Sequence, residues 1–90
     1  MRLLLVEDDE EISRMLEAYL VTENYEVVCA ADGREACEKF ADGVYDLILL
    51  DLMIPGIGGM EVMQQIRKTS TVPIIIVSAK DTDSDKALGL

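Results

Sequence analysis

The chain contains no histidine. That excludes His-based catalytic triads and removes the nitrogen ligand most zinc centres use. It has 2 cysteines, Cys29 and Cys37, whose spacing matches neither a metal knuckle nor a redox pair. Cys29 falls in an apolar, strand-like run and Cys37 in a helical one, so both are expected to be reduced packing residues. No apolar run approaches the roughly 20 residues of a membrane-spanning helix. The amino terminus also lacks the basic start and cleavage site of a secretory signal. A soluble, cytoplasmic chain without membrane contact is expected. Positive charge is scarce, with 8 Lys and Arg against 18 Asp and Glu and a formal net charge of −10. Such a surface repels phosphate backbones, so this segment is not expected to touch nucleic acid. Divalent cations and basic proteins suit it better. Repeats, linkers and low-complexity segments are absent too.

What is present is a core. Half of the 90 residues are hydrophobic, enough for one small domain that buries about 60% of its unfolded surface. The chain is organised around Asp46-Leu47-Ile48-Leu49-Leu50-Asp51-Leu52. Four consecutive large aliphatics suit a strand buried on both faces, as in a parallel sheet covered by helices. Asp46 can sit at the solvated start of that strand. Asp51 comes off its carboxyl end, where open α/β sheets bind ligands. A turn, Met53-Ile54-Pro55-Gly56, follows. Position alone leaves Asp51 open between chemistry and capping that turn.

Arg2 to Val6 reads as a first buried strand, ending in the five acids Glu7-Asp8-Asp9-Glu10-Glu11. Asp9 can cap the next helix, and Glu10 and Glu11 suit its first turn through the helix dipole. Glu7 and Asp8 lie at the strand end, before the helix needs any acid. Carboxylates crowded there repel one another unless a cation or proton compensates. Ile12, Met15, Leu16, Tyr19 and Leu20 form one apolar stripe of a helix, which Thr22-Glu23-Asn24 closes. Tyr25 to Ala30 reads as a second strand. Asp32 with Glu35 three residues later is a capping-box variant, opening a helix whose inner face is Ala36, Phe40 and Cys37. Asp42-Gly43 stops it.

Beyond the central strand, Gly56, Gly58 and Gly59 are expected to loosen a loop. Met60, Val62, Met63 and Ile66 supply a third helix ending near Lys68, with the methionines as core filler. Val72 to Val77 is a fourth strand with Pro73 near its start, delivering Ser78-Ala79-Lys80. A fourth helix is expected over 83–90. Strands alternating with helices imply βαβ units and a doubly wound parallel sheet, an α/β fold. A sheet ending on Ile74 to Val77 would leave an apolar edge prone to pairing, so the chain looks cut short.

If the first strand lies beside the third and the third beside the fourth, Glu7, Asp8, Asp51 and Ser78 meet in one cleft. A hard cation such as Mg²⁺ takes oxygen ligands and keeps several waters. One or two carboxylates, a backbone carbonyl and a phosphoryl oxygen would complete its shell. Asp51 can then act as an oxygen nucleophile toward phosphorus, with the Ser78 hydroxyl donating to a phosphoryl oxygen.

Three segments carry a resemblance: Leu3 to Glu10, Leu49 to Gly56 with Gly59, and Pro73 to Ala79. They resemble receiver domains of bacterial two-component response regulators, and Lys80-Asp81 with Asp85 to Leu90 resembles the subgroup bearing a winged-helix DNA-binding domain. The resemblance spans the whole chain and implies a flavodoxin-like receiver fold over residues 1–90, lacking its fifth strand and fifth helix. It implies that Asp51 is the phosphoacceptor for a sensor histidine kinase. Asp8 would bind Mg²⁺ directly, Glu7 largely through water, and Met53 through its backbone carbonyl. Ser78 would be the switch hydroxyl. Asp9 could be counted in the acidic pair, but its spacing favours Glu7 with Asp8. The family's invariant lysine has no counterpart here, and Lys80 reads as a loop lysine. The implied role is a signalling switch rather than an enzyme, controlling a DNA-binding output domain absent from this chain. A non-catalytic module that dimerises or swaps domains is the rival. A phosphohydrolase is disfavoured because Met53 stands where a second acid is needed.

Overall fold

The computed structural model describes residues 1–77. The expectations for Ser78, Lys80 and a helix over 83–90 lie outside the described residues. Four strands and three helices alternate: β1 (Arg2–Val6), α1 (Glu10–Thr22), β2 (Glu26–Ala30), α2 (Gly33–Ala41), β3 (Leu47–Leu50), α3 (Gly59–Arg67) and β4 (Ile74–Ile76). The strands are all parallel, in the order β2-β1-β3-β4. That is the adjacency needed to bring the ends of β1, β3 and β4 together. The order reverses between β1 and β3, the switch point where a doubly wound sheet opens a ligand crevice.

β1 is central and covered on both faces. Leu3, Leu4, Leu5 and Val6 are all within 1% of complete burial, each contributing about 1.5–3 kcal/mol of hydrophobic stabilisation. Side chains alternate between the faces. Leu4 and Val6 join Ile48, Leu50 and Ala30 in a core closed by Ala36 of α2 and by Val62 and Ile66 of α3. Leu3 and Leu5 lie on the opposite face with Cys29, whose thiol reaches Glu17 of α1 at 3.6 Å.

β3 departs from the expectation of burial on both faces. Ile48 and Leu50 are buried, whereas Leu47 and Leu49 are half-buried. The reason is coverage, since α1 packs on β1 and β2 and leaves the β3 side of its face thinly covered. The α1 stripe is correspondingly shallow. Ile12, Leu16 and Leu20 are half-buried, but Met15 and Tyr19 are 63% and 62% exposed. Met60 is also exposed, so of the α3 methionines only Met63 packs against the core.

Local stop and start signals act as the residues predict. Asp9 caps α1 through its Oδ1, which accepts from the Glu11 and Ile12 amides at 3.0 and 3.1 Å. Asn24 ends it in the left-handed region at φ 71°, a helix stop that asparagine tolerates. Asp32 Oδ1 accepts from the Glu35 amide at 2.8 Å, and Glu35 reaches back to the Ala31 amide at 2.8 Å. At the sheet's other end, Asp46 is exposed and accepts from the Arg2 amide at 2.8 Å.

Candidate functional site

The parallel register decides which acids meet. Val6 pairs with Leu50, and the Asp51 amide donates to the Val6 carbonyl at 3.0 Å. The next residue of each strand, Glu7 and Asp51, therefore stands side by side at the carboxyl edge. Both are buried, Glu7 at 3% and Asp51 at 0% exposure, while Asp8 is exposed. One carboxylate oxygen from each of Glu7, Asp8 and Asp51 lies within 4.8 Å of the others. The Val77 amide donates to the Leu50 carbonyl at 2.9 Å, so β4 also runs toward this edge.

Asp9 does not join the trio. Its carboxylate caps α1, and its amide instead donates to Glu7 Oε2 at 3.0 Å. That bond turns Glu7 into a fixed acceptor at the strand end. The loop after β3 does the same for Asp51, whose Oδ1 accepts from the Met53 amide at 2.8 Å. The Met53 side chain is exposed, so this residue meets the site through its backbone.

Two buried carboxylates with oxygens within 4.8 Å of each other repel, when ionised, by at least about 3 kcal/mol at an effective dielectric near 20. Three oxygen donors in so small a space suit a hard cation. The three carboxylates would each offer one oxygen to such an ion, which also keeps waters of its own. Glu7, Asp8 and Asp51 fit that group.

A cleft of about 400 Å³ opens from Glu7 and Asp8 toward Ser13, Cys29, Ala31 and Glu35. Glu35 is held below the ordinary carboxylate range, first by the Ala31 amide and further by Lys39. Lys39 Nζ lies 3.2 Å from Glu35 and donates to the Cys29 carbonyl at 2.9 Å, tying α2 to the end of β2. Burial pushes the Cys29 thiol up, and Glu17 adds to this. Cys37, between α2 and α3, is raised for the same first reason. Neither thiol is set up as a nucleophile. Both are free and half-buried.

Sequence reasoning placed Gly56 in this turn and Gly59 in the motif, but gave them only a loosening role. Gly56 adopts φ 80° beside Pro55, a turn conformation that favours glycine. Gly59 is not a loosening element but the buried first residue of α3. A β-carbon there would stand 2.5 Å from Leu52 Cα and 2.9 Å from the Asp51 carbonyl oxygen. Gly33 is packed as tightly at the start of α2. The motif after Asp51 includes Gly59, but spacing does not show why either glycine is needed, since Gly59 meets Leu52 across the loop and Gly33 meets Ile57 of a distant segment.

A parallel, doubly wound sheet with three carboxylates converging at its switch point is the architecture of a receiver fold. The response regulator receiver domain family matches residues 3–90, and the chain belongs to that family. It is 49% identical over 87 residues to YcbL of Bacillus subtilis, a transcriptional regulatory protein, covering 97% of this chain and 38% of that one. It is 47% identical to the response regulator ArlR of Staphylococcus saprophyticus, covering 99% and 40%. The chain thus spans about 40% of the length of these curated relatives. Among solved structures it resembles the response regulator TrrA of Thermotoga maritima in complex with Mg²⁺-BeF, with TM-score 0.83, 40% identity, and coverage of 97% and 76%. TrrA has also been solved in complex with the histidine kinase ThkA; that chain matches with TM-score 0.81, 40% identity, and coverage of 92% and 77%. The receiver domain of Klebsiella pneumoniae RstA, activated with BeF₃, matches with TM-score 0.85 and 34% identity, covering 94% and 73%. The fold is the flavodoxin-like receiver fold. Among the described residues, no helix is long and apolar enough to cross a membrane.

Proposed function

We propose that residues 1–90 act as the phosphoacceptor receiver domain of a two-component response regulator. A phosphoryl group passes from a sensor histidine kinase to Asp51, in a Mg²⁺-dependent reaction that controls a winged-helix DNA-binding output domain in the cytoplasm. The observation that carries this reading is the convergence of Glu7, Asp8 and Asp51 within 4.8 Å at adjacent strand ends. The Mg²⁺ complex of TrrA and its kinase complex support the choice of cation and donor.

An Asp51 carboxylate oxygen attacks phosphorus as the P–N bond to the donor imidazole breaks. The leaving nitrogen keeps the bonding pair and takes a proton. The product is an acyl phosphate on Asp51. Asp8, Asp51 and the Met53 carbonyl would hold Mg²⁺, with Glu7 acting largely through water. When bound there, the ion would supply positive charge against that building on the transferred oxygens. The Met53 amide orients the Asp51 carboxylate from one side. Ser78 is assigned the switch hydroxyl. The chain is a switch whose own site assists transfer and hydrolysis, not an enzyme acting on a separate substrate.

Acetyl phosphate with Mg²⁺ is expected to add one phosphoryl group to the chain by intact mass, and Asp51→Asn to abolish it. Label that persists in Asp51→Asn would refute the assignment. Self-association is a second reading, favoured by β4. Among the described residues β4 is an edge strand, with Ile75 and Ile76 50% and 41% exposed.

A further inference from the structure

We propose that Gly33, the first residue of α2, is a positioning residue for the cation site, because its bare α-carbon seats the Ile57 carbonyl and so fixes the loop that carries Met53. This inference rests on the functional reading above and assigns a role to a residue outside the acidic cluster. A β-carbon built on Gly33 would overlap the Ile57 carbonyl oxygen and stand 2.5 Å from Ile57 Cγ1 and 3.0 Å from Val62 Cγ2. The contact joins two segments that the chain separates widely, the start of α2 and the loop between Asp51 and α3.

Something must move if Gly33 gains a side chain, and the packing says which partner yields. α2 is tied at several points. Ala36 is completely buried, and Asp32 and Glu35 close the capping box onto Ala31. Lys39 bonds the Cys29 carbonyl, and Phe40 stacks on Tyr45 with ring centres 6.0 Å apart. Of residues 53–58, only Ile54 is buried. The loop has the fewest packed contacts and is the compliant side. Its displacement carries Met53 with it, and Met53 both donates its amide to Asp51 Oδ1 and supplies the assigned carbonyl. Gly33 thus acts on the site through the loop, touching neither cation nor phosphoryl group.

The test compares Mg²⁺ affinity with stability. Wild type, Gly33→Ala and Gly43→Ala are titrated with MgCl₂ by calorimetry and melted in EDTA. Gly43 is the control, since its β-carbon would meet only the tip of the Arg2 side chain and the Tyr45 hydroxyl. Gly33→Ala is expected to weaken Mg²⁺ binding about tenfold, the low end of what losing an outer partner of a metal ligand costs. Its Met53 amide resonance should shift even without Mg²⁺, and Gly43→Ala should bind as wild type does. If Gly33→Ala does not fold, Ile57→Ala decides. It removes a 40% exposed side chain that packs on Gly33 and is likewise expected to weaken binding. Wild-type affinity in a folded Gly33→Ala, or in Ile57→Ala where that variant decides, overturns the inference alone. No Mg²⁺ binding by the wild-type protein overturns the functional reading and this inference with it.

Discussion

Replacing Gly59 by alanine separates loop placement from overall stability. The new β-carbon starts 2.5 Å from Leu52 Cα, and ordinary contact begins near 3.4 Å, so the backbones must part by about 0.9 Å. The obstruction is backbone on both sides, and a rotamer change cannot relieve it. Overpacking of this kind costs about 1–3 kcal/mol. Alanine recovers about 1 kcal/mol over glycine inside a helix. The balance is a loss of up to about 2 kcal/mol, with each kcal/mol worth about 4–8 °C in Tm for a domain of this size. Function should suffer more, because a reacting group misplaced by 1 Å can cost on the order of 100-fold in rate. The assay follows acetyl phosphate labelling by intact mass alongside thermal melts, with Gly58→Ala as control. Nothing lies within 4 Å of a β-carbon at Gly58. That variant should label at the wild-type rate and lose only the modest stability that alanine costs at the N-cap of α3. A Gly59→Ala protein with wild-type labelling and unchanged Tm would refute the reasoning.

Two further predictions concern pH and assembly. Glu35 has a folded pKa below its ordinary value of 4.5, so its stabilising contribution is present above that value and lost as pH falls through the folded pKa. The stability gap between wild type and Glu35→Gln in urea should therefore be open at neutral pH and close in acid; a gap constant over that range contradicts it. On the second reading, the exposed β4 edge pairs copies of the chain. Size-exclusion chromatography should then give a dimer fraction that rises with concentration and disappears in Ile75→Lys. A monomer at every concentration removes that reading.

Much of this protein was legible along the chain because the deciding forces are local. Strands β1 and β3 announce themselves as unbroken aliphatic runs. The caps of α1 and α2 follow from a side-chain oxygen placed before its orphan amides, as Asp9 and Asp32 are. The candidate chemistry was legible too, since acids at strand ends lie outside what the following helices need. Choosing between Glu7 and Asp9 required the helix to claim one of them. Coverage of a face was not legible. Met15 and Tyr19 keep the helical spacing of a buried stripe, yet they are exposed, because periodicity says which side is apolar but not how far a neighbour extends over it.

The sequence by itself determined the alternation of strands and helices and the parallel sheet, and it placed Asp51 at the end of the central strand. These depend on hydrophobic runs, capping chemistry and spacing within a few residues. Only the tertiary structure decided that β1 lies between β2 and β3, which sets Glu7 beside Asp51 and leaves Asp9 to its helix. It alone gave Gly33 its purpose, because that residue is defined by the Ile57 backbone, brought close from elsewhere in the chain. Such a contact arises when the sheet and helices pack together, and no short stretch of sequence contains both sides of it.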